Sequence, residues 1–148
     1  RPLDAISLSV AGQEMDKSLL EGKWTWASFL EGPCDPACAE QLYKSRQVRL
    51  ALGKDMDKGQ RLLVQVGTAS ELEPQLLEAH PDLIIANAEE GAAWLTQFHL
   101  DGNSVDTANI YLVDPLGNLM MYYPPEIEGP KILKDIQRLV RVSWIKPK

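Results

Sequence analysis

The sequence predicts an α/β domain with a central mixed β-sheet flanked by helices. Three observations carry this expectation. Blocks with strand-like apolar patterns alternate with blocks of helical spacing through the first part of the chain, which implies parallel strands joined by right-handed crossovers. Two late strand blocks, residues 109–114 and 119–123, are separated only by the tight turn Pro115-Leu116-Gly117-Asn118, so they must pair antiparallel. The 148 residues, 45% apolar and 24% charged, suit one globular domain with a sizeable core. With no linker, repeat or low-complexity tract, residues 1–148 are read as a single domain.

The elements follow in order. Residues 6–15 hold a short strand and a turn at Ala11-Gly12, an N-terminal β-hairpin. Residues 23–30, Lys-Trp-Thr-Trp-Ala-Ser-Phe-Leu, alternate like a strand, and Gly32-Pro33 ends them. A helix is expected from Asp35 or Pro36 to about Leu52, because proline is tolerated in a first helical turn and Gly53 is a natural stop. Leu62-Leu63-Val64-Gln65-Val66, headed by Arg61, is a compact apolar run of the kind found in buried strands. Ser70-Glu71-Leu72-Glu73 resembles a capping box and opens a helix to about His80, which Pro81 cannot continue. Residues 83–86 form a short strand and residues 89–98 a helix. After the late hairpin, Pro130 opens a last helix whose Ile132, Leu133, Ile136, Leu139 and Val140 recur at helical spacing. The order β-α-β-α-β-α-β-β-α is the thioredoxin arrangement with an added N-terminal hairpin.

Charge narrows the function classes. A formal net charge of -6 argues against nucleic-acid binding, which needs a basic surface, and against docking on anionic lipid. No stretch reaches the roughly 18 apolar residues that span a bilayer. The chain begins Arg1-Pro2-Leu3 with no initiator Met, and an upstream segment, a signal peptide or an anchor, is expected to have been removed.

Chemistry concentrates in Cys34-Asp35-Pro36-Ala37-Cys38. These are the only two cysteines, too few for a disulfide framework or a four-ligand zinc site. They lie after a strand and at a helix start, where unpaired N–H groups and the helix dipole favour a thiolate, so Cys34 is expected to be the more reactive thiol. Asp35 opposes this through its own negative charge. Their i, i+4 spacing is expected to place both sulfurs on one helical face with about 6 Å of axial rise, within the range a disulfide accepts. The same two thiolates suit a soft metal such as Cu(I).

The chain resembles the Sco/SenC family, thioredoxin-fold proteins used in assembling the copper sites of cytochrome c oxidase. Ile6-Ser7-Leu8 followed by Gly22-Lys23-Trp24 is similar to that family's opening hairpin and first core strand. Cys34 and Cys38 sit where its copper-binding cysteines sit. Ser104-Val105-Asp106-Thr107, then Ile110-Tyr111-Leu112-Val113-Asp114-Pro115-Leu116-Gly117, is similar to its late segment, in which a histidine precedes a strand ending in a D-P-x-G-like turn. The departure is that Asp106 stands where the family has its third copper ligand, a histidine. The Pro that usually follows the first Cys is also absent, being Asp35 here.

The resemblance implies an assembly factor acting through Cys34 and Cys38 as a thiol-disulfide oxidoreductase on the cysteines of an oxidase subunit or another copper-handling protein. No cofactor is required on this reading. Two alternatives stay open: a Cu(I) metallochaperone using Cys34 and Cys38, with Asp106 as an atypical third ligand, and a non-catalytic assembly scaffold. A carboxylate is a hard ligand and suits Cu(I) poorly, which leaves Asp106 two other roles: raising the thiol pKa values or accepting a proton during exchange, or serving as a turn residue at the start of a strand. The resemblance places the domain in the periplasm, anchored to the inner membrane by the segment upstream.

Other features read as structural. Met120 and Met121 point to opposite faces of a strand and cannot serve one site. Trp24 and Trp26 share a face and fit core packing, and Lys44, Arg46 and Arg49 form a solvated patch. His80 and His99 are helix-terminal or surface polar residues, and Tyr122-Tyr123-Pro124-Pro125 is an exposed turn. Peroxidase chemistry lacks its supporting polar groups around Glu31-Gly32-Pro33.

Overall fold

The computed structural model describes residues 2–3, 6–67, 71–89, 91–98 and 109–142. Seven strands form one mixed sheet: β1 (Leu8–Val10), β2 (Gln13–Met15), β3 (Trp24–Leu30), β4 (Gly59–Val66), β5 (Ile84–Ala88), β6 (Ile110–Val113) and β7 (Leu119–Tyr123), in the order β2-β1-β5-β4-β3-β6-β7. β3, β4 and β5 are parallel, β6 runs antiparallel to β3, and β7 returns along β6. The β1–β2 hairpin joins through an antiparallel contact of Ser9 with Asn87. It is therefore an extension on the β5 edge, as the sequence predicts. The helices are α1 (Pro36–Ala51), α2 (Pro74–Ala79) and α3 (Gly129–Val142).

Alternation along β3 sorts the core into two faces. Trp24 and Trp26 join Val48 and Leu52 at the end of α1, Ile110, Leu112 and Tyr123 of the late hairpin, and Ile132 and Ile136 of α3. Ala27 and Phe29 face the other way, with Leu62, Val64 and Val66 of β4 and a short 3-10 helix, Ala93–Phe98. There Phe29, Phe98 and Tyr111 stack with ring centroids 4.9 to 5.6 Å apart. The Trp26 ring lies so close to Gly59 that a Cβ there would sit 2.5 Å from it. Only glycine admits that approach.

Two helical expectations need correction. The 3-10 helix from Ala93 replaces the longer helix expected over residues 89–98, because Gly91 adopts a positive φ of 75° and interrupts any helix through it. α2 starts at Pro74, not at the expected capping box, since Glu73 is extended (ψ 139°) and Pro74 opens the first turn. Ser70 lies outside the described residues. No helix among the described residues is long and apolar enough to cross a membrane.

Candidate functional site

β3 ends at Leu30, and a turn through Gly32, with φ at +79°, redirects the chain into α1. Asp35 is the N-cap of α1. Its carboxylate accepts the Cys38 N–H at 2.8 Å, and its carbonyl accepts the Ala39 N–H at 2.9 Å. Pro36, first in the helix, has no N–H. Cys34 therefore lies before the helix and Cys38 in its first turn. This corrects the expectation that both occupy one helical face: an extended Asp35 between them folds Cys34 back over the helix start. The two cysteines form a disulfide with Cα atoms 5.2 Å apart.

Asp35 has a second consequence. Its carboxylate occupies the Cys38 N–H, one of the orphan first-turn donors that would otherwise favour a Cys34 thiolate.

Both cysteines are half-buried against Leu30, Leu42 and Leu63, with Leu72, Leu76 and Leu83 packed around the same cluster. On its open side Cys34 borders a groove of about 400 Å³ between the start of α1 and the segment leading into α2. Pro33, Pro36, Ala39, Leu72 and Leu76 supply its apolar walls, and Asp35, Glu71 and Glu73 its acidic rim.

Beneath α1 lies a buried polar network that the sequence reading missed. Arg61 of β4, 1% exposed, points to the same face as Leu63, toward α1. It donates twice to the Asp82 carboxylate, at 3.0 and 2.8 Å, and once to the Leu42 carbonyl at 2.9 Å. It also approaches Ser45 Oγ at 3.3 Å and His80 Nδ1 at 3.0 Å. Arg49 adds a second cation 3.6 Å from Asp82 and donates to the Gly59 carbonyl. The guanidinium thus ties the helix that follows the cysteines to β4 and to the end of α2. Burial lowers the His80 pKa, and the charges of Arg61 and Arg46 lower it further against the opposing pull of Asp82. The Arg61 hydrogen bond holds the Asp82 carboxyl below its usual range, with burial opposing and the charges of Arg61 and Arg49 helping. His80 is thus helix-terminal, as expected, at the C-cap of α2, but a buried partner of Arg61 and not a surface residue.

Other sequence-singled residues fall as follows. Trp24 and Trp26 are core. Met121 packs beside them while Met120 is exposed. Lys44 is no solvated patch residue, since its ammonium binds the carbonyls of Pro125 and Ile127 and so ties α1 to the chain entering α3. In the supposed exposed turn, Tyr122 is exposed, but Tyr123 is buried and donates to Asp135. Asp114 closes the D-P-x-G turn by accepting from the N–H groups of Leu116 and Asn118. Asp106 and His99 lie outside the described residues. Among the described residues no group of three His, Cys, Asp or Glu is placed to hold a metal ion.

Solved structures share this fold. Yeast Sco1 with copper bound is 18% identical with a TM-score of 0.77, over 96% of this chain and 94% of that one. BsSco, described with a disulfide switch and as a member of the Sco family of cytochrome c oxidase assembly proteins, is 12% identical with a TM-score of 0.68, over 96% and 95%. The thioredoxin domain of a thiol-disulfide oxidoreductase from Bacteroides vulgatus is 18% identical with a TM-score of 0.64, over 95% and 96%. The Sco/SenC resemblance read from the sequence is borne out by these likenesses in fold. No protein of curated function matches the chain by sequence. The family model for transmembrane-like, thioredoxin-like C-terminal domains matches residues 24–143, most of the chain, and the chain belongs to that family.

Proposed function

We propose that this domain is a thiol-disulfide oxidoreductase that acts on the cysteines of a copper-handling partner, in the assembly of the copper sites of cytochrome c oxidase. The observation that carries the reading is the Cys34–Cys38 disulfide at the β3–α1 junction, with Cys34 on an open groove. A partner thiolate attacks Cys34 Sγ, the Cys34–Cys38 bond breaks, and Cys38 leaves as a thiolate that takes a proton. A second partner thiol then attacks the mixed disulfide. The partner leaves as a disulfide, and Cys34 and Cys38 remain as the dithiol, two electrons richer. The reverse sequence reduces a partner disulfide, which frees a target cysteine pair to take copper. Likeness in fold to an oxidoreductase domain and to a Sco protein with a disulfide switch supports this chemistry. We also propose that the domain works outside the cytoplasm on a membrane anchor; upstream coding sequence without a hydrophobic segment of anchor or signal length would remove that proposal.

The test is a redox titration with mass-spectrometric counting of alkylated thiols, on the parent and on Cys34→Ser and Cys38→Ser. A two-electron transition of the parent within the range spanned by thiol buffers is expected. A pair that stays reduced in strongly oxidising buffer, or thiols that never alkylate, would exclude exchange.

A second reading takes Cu(I) as cargo on the reduced pair. It is favoured by the copper-bound yeast Sco1 neighbour and by two thiols close enough for two-coordinate Cu(I). Titration against a Cu(I) chelator separates the readings. Displaceable binding that needs both cysteines fits exchange as the main role. Very tight 1:1 binding with a nitrogen-ligated Cu(II) spectrum fits a chaperone.

A further inference from the structure

The groove beside the disulfide has a chemical character of its own. Cys34 lines it and Cys38 does not, so a segment lying there meets one particular sulfur. Its floor is apolar, from Pro36, Leu72 and Leu76, and its rim carries the exposed carboxylates Asp35, Glu71 and Glu73. No basic residue lines it. The charge pattern of the chain reinforces this, since between Arg61 and Lys131 there is no Lys or Arg while Asp and Glu recur throughout. The cations flanking that stretch are committed elsewhere: Arg61 and Arg49 to Asp82, and Lys131 to Asp135. Among the described residues, no Lys or Arg lines the groove beside these carboxylates.

We infer that this groove docks an extended, cysteine-bearing segment of a partner protein that carries Lys or Arg beside its cysteine and an apolar residue for the Leu72–Leu76 wall. The inference rests on the exchange reading above and names its substrate class. Three features single out this occupant. The disulfide calls for a thiol, the apolar walls for a side chain to cover them, and the carboxylates for a cation. A second copy of this chain, with its net charge of -6, would be repelled. Basic flanking residues would also lower the pKa of the incoming thiol, so docking and activation favour the same sequence.

The test uses the oxidised full chain and two extended peptides that differ only in the flanks of one cysteine, Lys-Cys-Lys or Glu-Cys-Glu. Rates of mixed-disulfide formation are read by acid quench and mass spectrometry. Each rate is divided by the same peptide's rate with hydroxyethyl disulfide, which removes the intrinsic effect of the flanks on thiol acidity. The normalised preference for the Lys peptide is expected to be about tenfold or more at low ionic strength, and to shrink severalfold near 1 M salt, where screening acts within about 3 Å. Glu71→Lys with Glu73→Lys is expected to abolish or reverse it, and Glu71→Gln with Glu73→Gln to weaken it. Dithiothreitol, which attacks as a thiolate but has no charged flanks, supplies each protein's reference rate, and far-UV circular dichroism reports that the variants fold. Equal normalised peptide rates with normal reduction by dithiothreitol would overturn the docking inference and leave exchange standing. A disulfide that dithiothreitol cannot reduce in the folded parent would overturn exchange, and the inference with it.

Discussion

Replacing Asp82 with alanine should destabilise this domain more than most single changes at a partly exposed position. Arg61 is 1% exposed and loses two of its shortest hydrogen bonds, at 2.8 and 3.0 Å, when the carboxylate is removed. Its remaining partners, the Leu42 carbonyl, Ser45 and His80, are all neutral or, for His80, kept neutral by the same surroundings. Breaking a buried ion pair from one side costs about 3–5 kcal/mol, because the other charge is left uncompensated. Asp82 is 27% exposed, so water can partly replace it, and the low end, about 3 kcal/mol, is the expected loss. At roughly 2–4 °C per kcal/mol for a chain of this size, the melting temperature should fall by about 6–12 °C. Urea denaturation of the oxidised protein at pH 7 gives the free-energy loss, and thermal unfolding followed by circular dichroism gives the shift. Arg61→Met combined with Asp82→Ala removes the stranded charge and should recover part of the stability. A loss under about 1 kcal/mol for Asp82→Ala, or a double variant less stable than the single one, would refute the reasoning.

The His80 pKa is lowered in the fold, so the unfolded chain binds the extra proton more readily. The stability His80 contributes is complete above the ordinary value of 6.5 and is lost as pH falls through the folded value. Urea midpoints measured from pH 7.5 to 5 should decline, and His80→Gln should flatten that decline. An unchanged slope in the variant would remove His80 as the cause. Gly59→Ala drives a methyl into the Trp26 ring and should cost about 1–3 kcal/mol in the same assay. A neutral result would mean that the ring shifts freely. Asp35→Asn keeps a side-chain acceptor for the Cys38 N–H but removes the charge beside Cys34. Thiolate absorbance of the reduced protein should then titrate at lower pH, whereas Asp35→Ala should also cost about 1 kcal/mol through loss of the cap. A thiol titration unmoved by Asp35→Asn would discount that charge.

The modest alternation of β3, the continuous apolar run of β4 and the helical spacing of α3 were legible because both faces of the two strands are buried, while α3 buries one stripe. The turn residues at Gly32-Pro33 and Asp114-Pro115-Leu116-Gly117 marked the boundaries that bring the cysteines to a strand-to-helix junction. The polar network was harder to see. Arg61 heads an apolar run and looks like its solvent-facing edge, yet parallel pairing of Leu62 with Ile84 brings Asp82 alongside it. A charge on a buried strand, with an opposite charge two residues before the neighbouring strand, was the available signal. Lys44 and Arg49 misled for a similar reason. Their partners are backbone carbonyls and a carboxylate far along the chain, and long-range contacts leave no local pattern. The short helices fell short of expectation because an extended Glu73 and the positive φ of Gly91 outweighed helical propensity.

The central claim, that Cys34 is the sulfur that partners meet and Cys38 the one that resolves, is tested most directly by trapping. The Cys38→Ser and Cys34→Ser proteins are each incubated with a partner-like peptide carrying one activated cysteine disulfide, and adduct mass is followed against time. The account expects a stable mixed disulfide on Cys34 in Cys38→Ser, released in the parent as the Cys34–Cys38 disulfide forms, and much slower capture by Cys38 in Cys34→Ser. Equal capture at both positions, or an adduct on Cys34 that the parent's Cys38 fails to release, would contradict it.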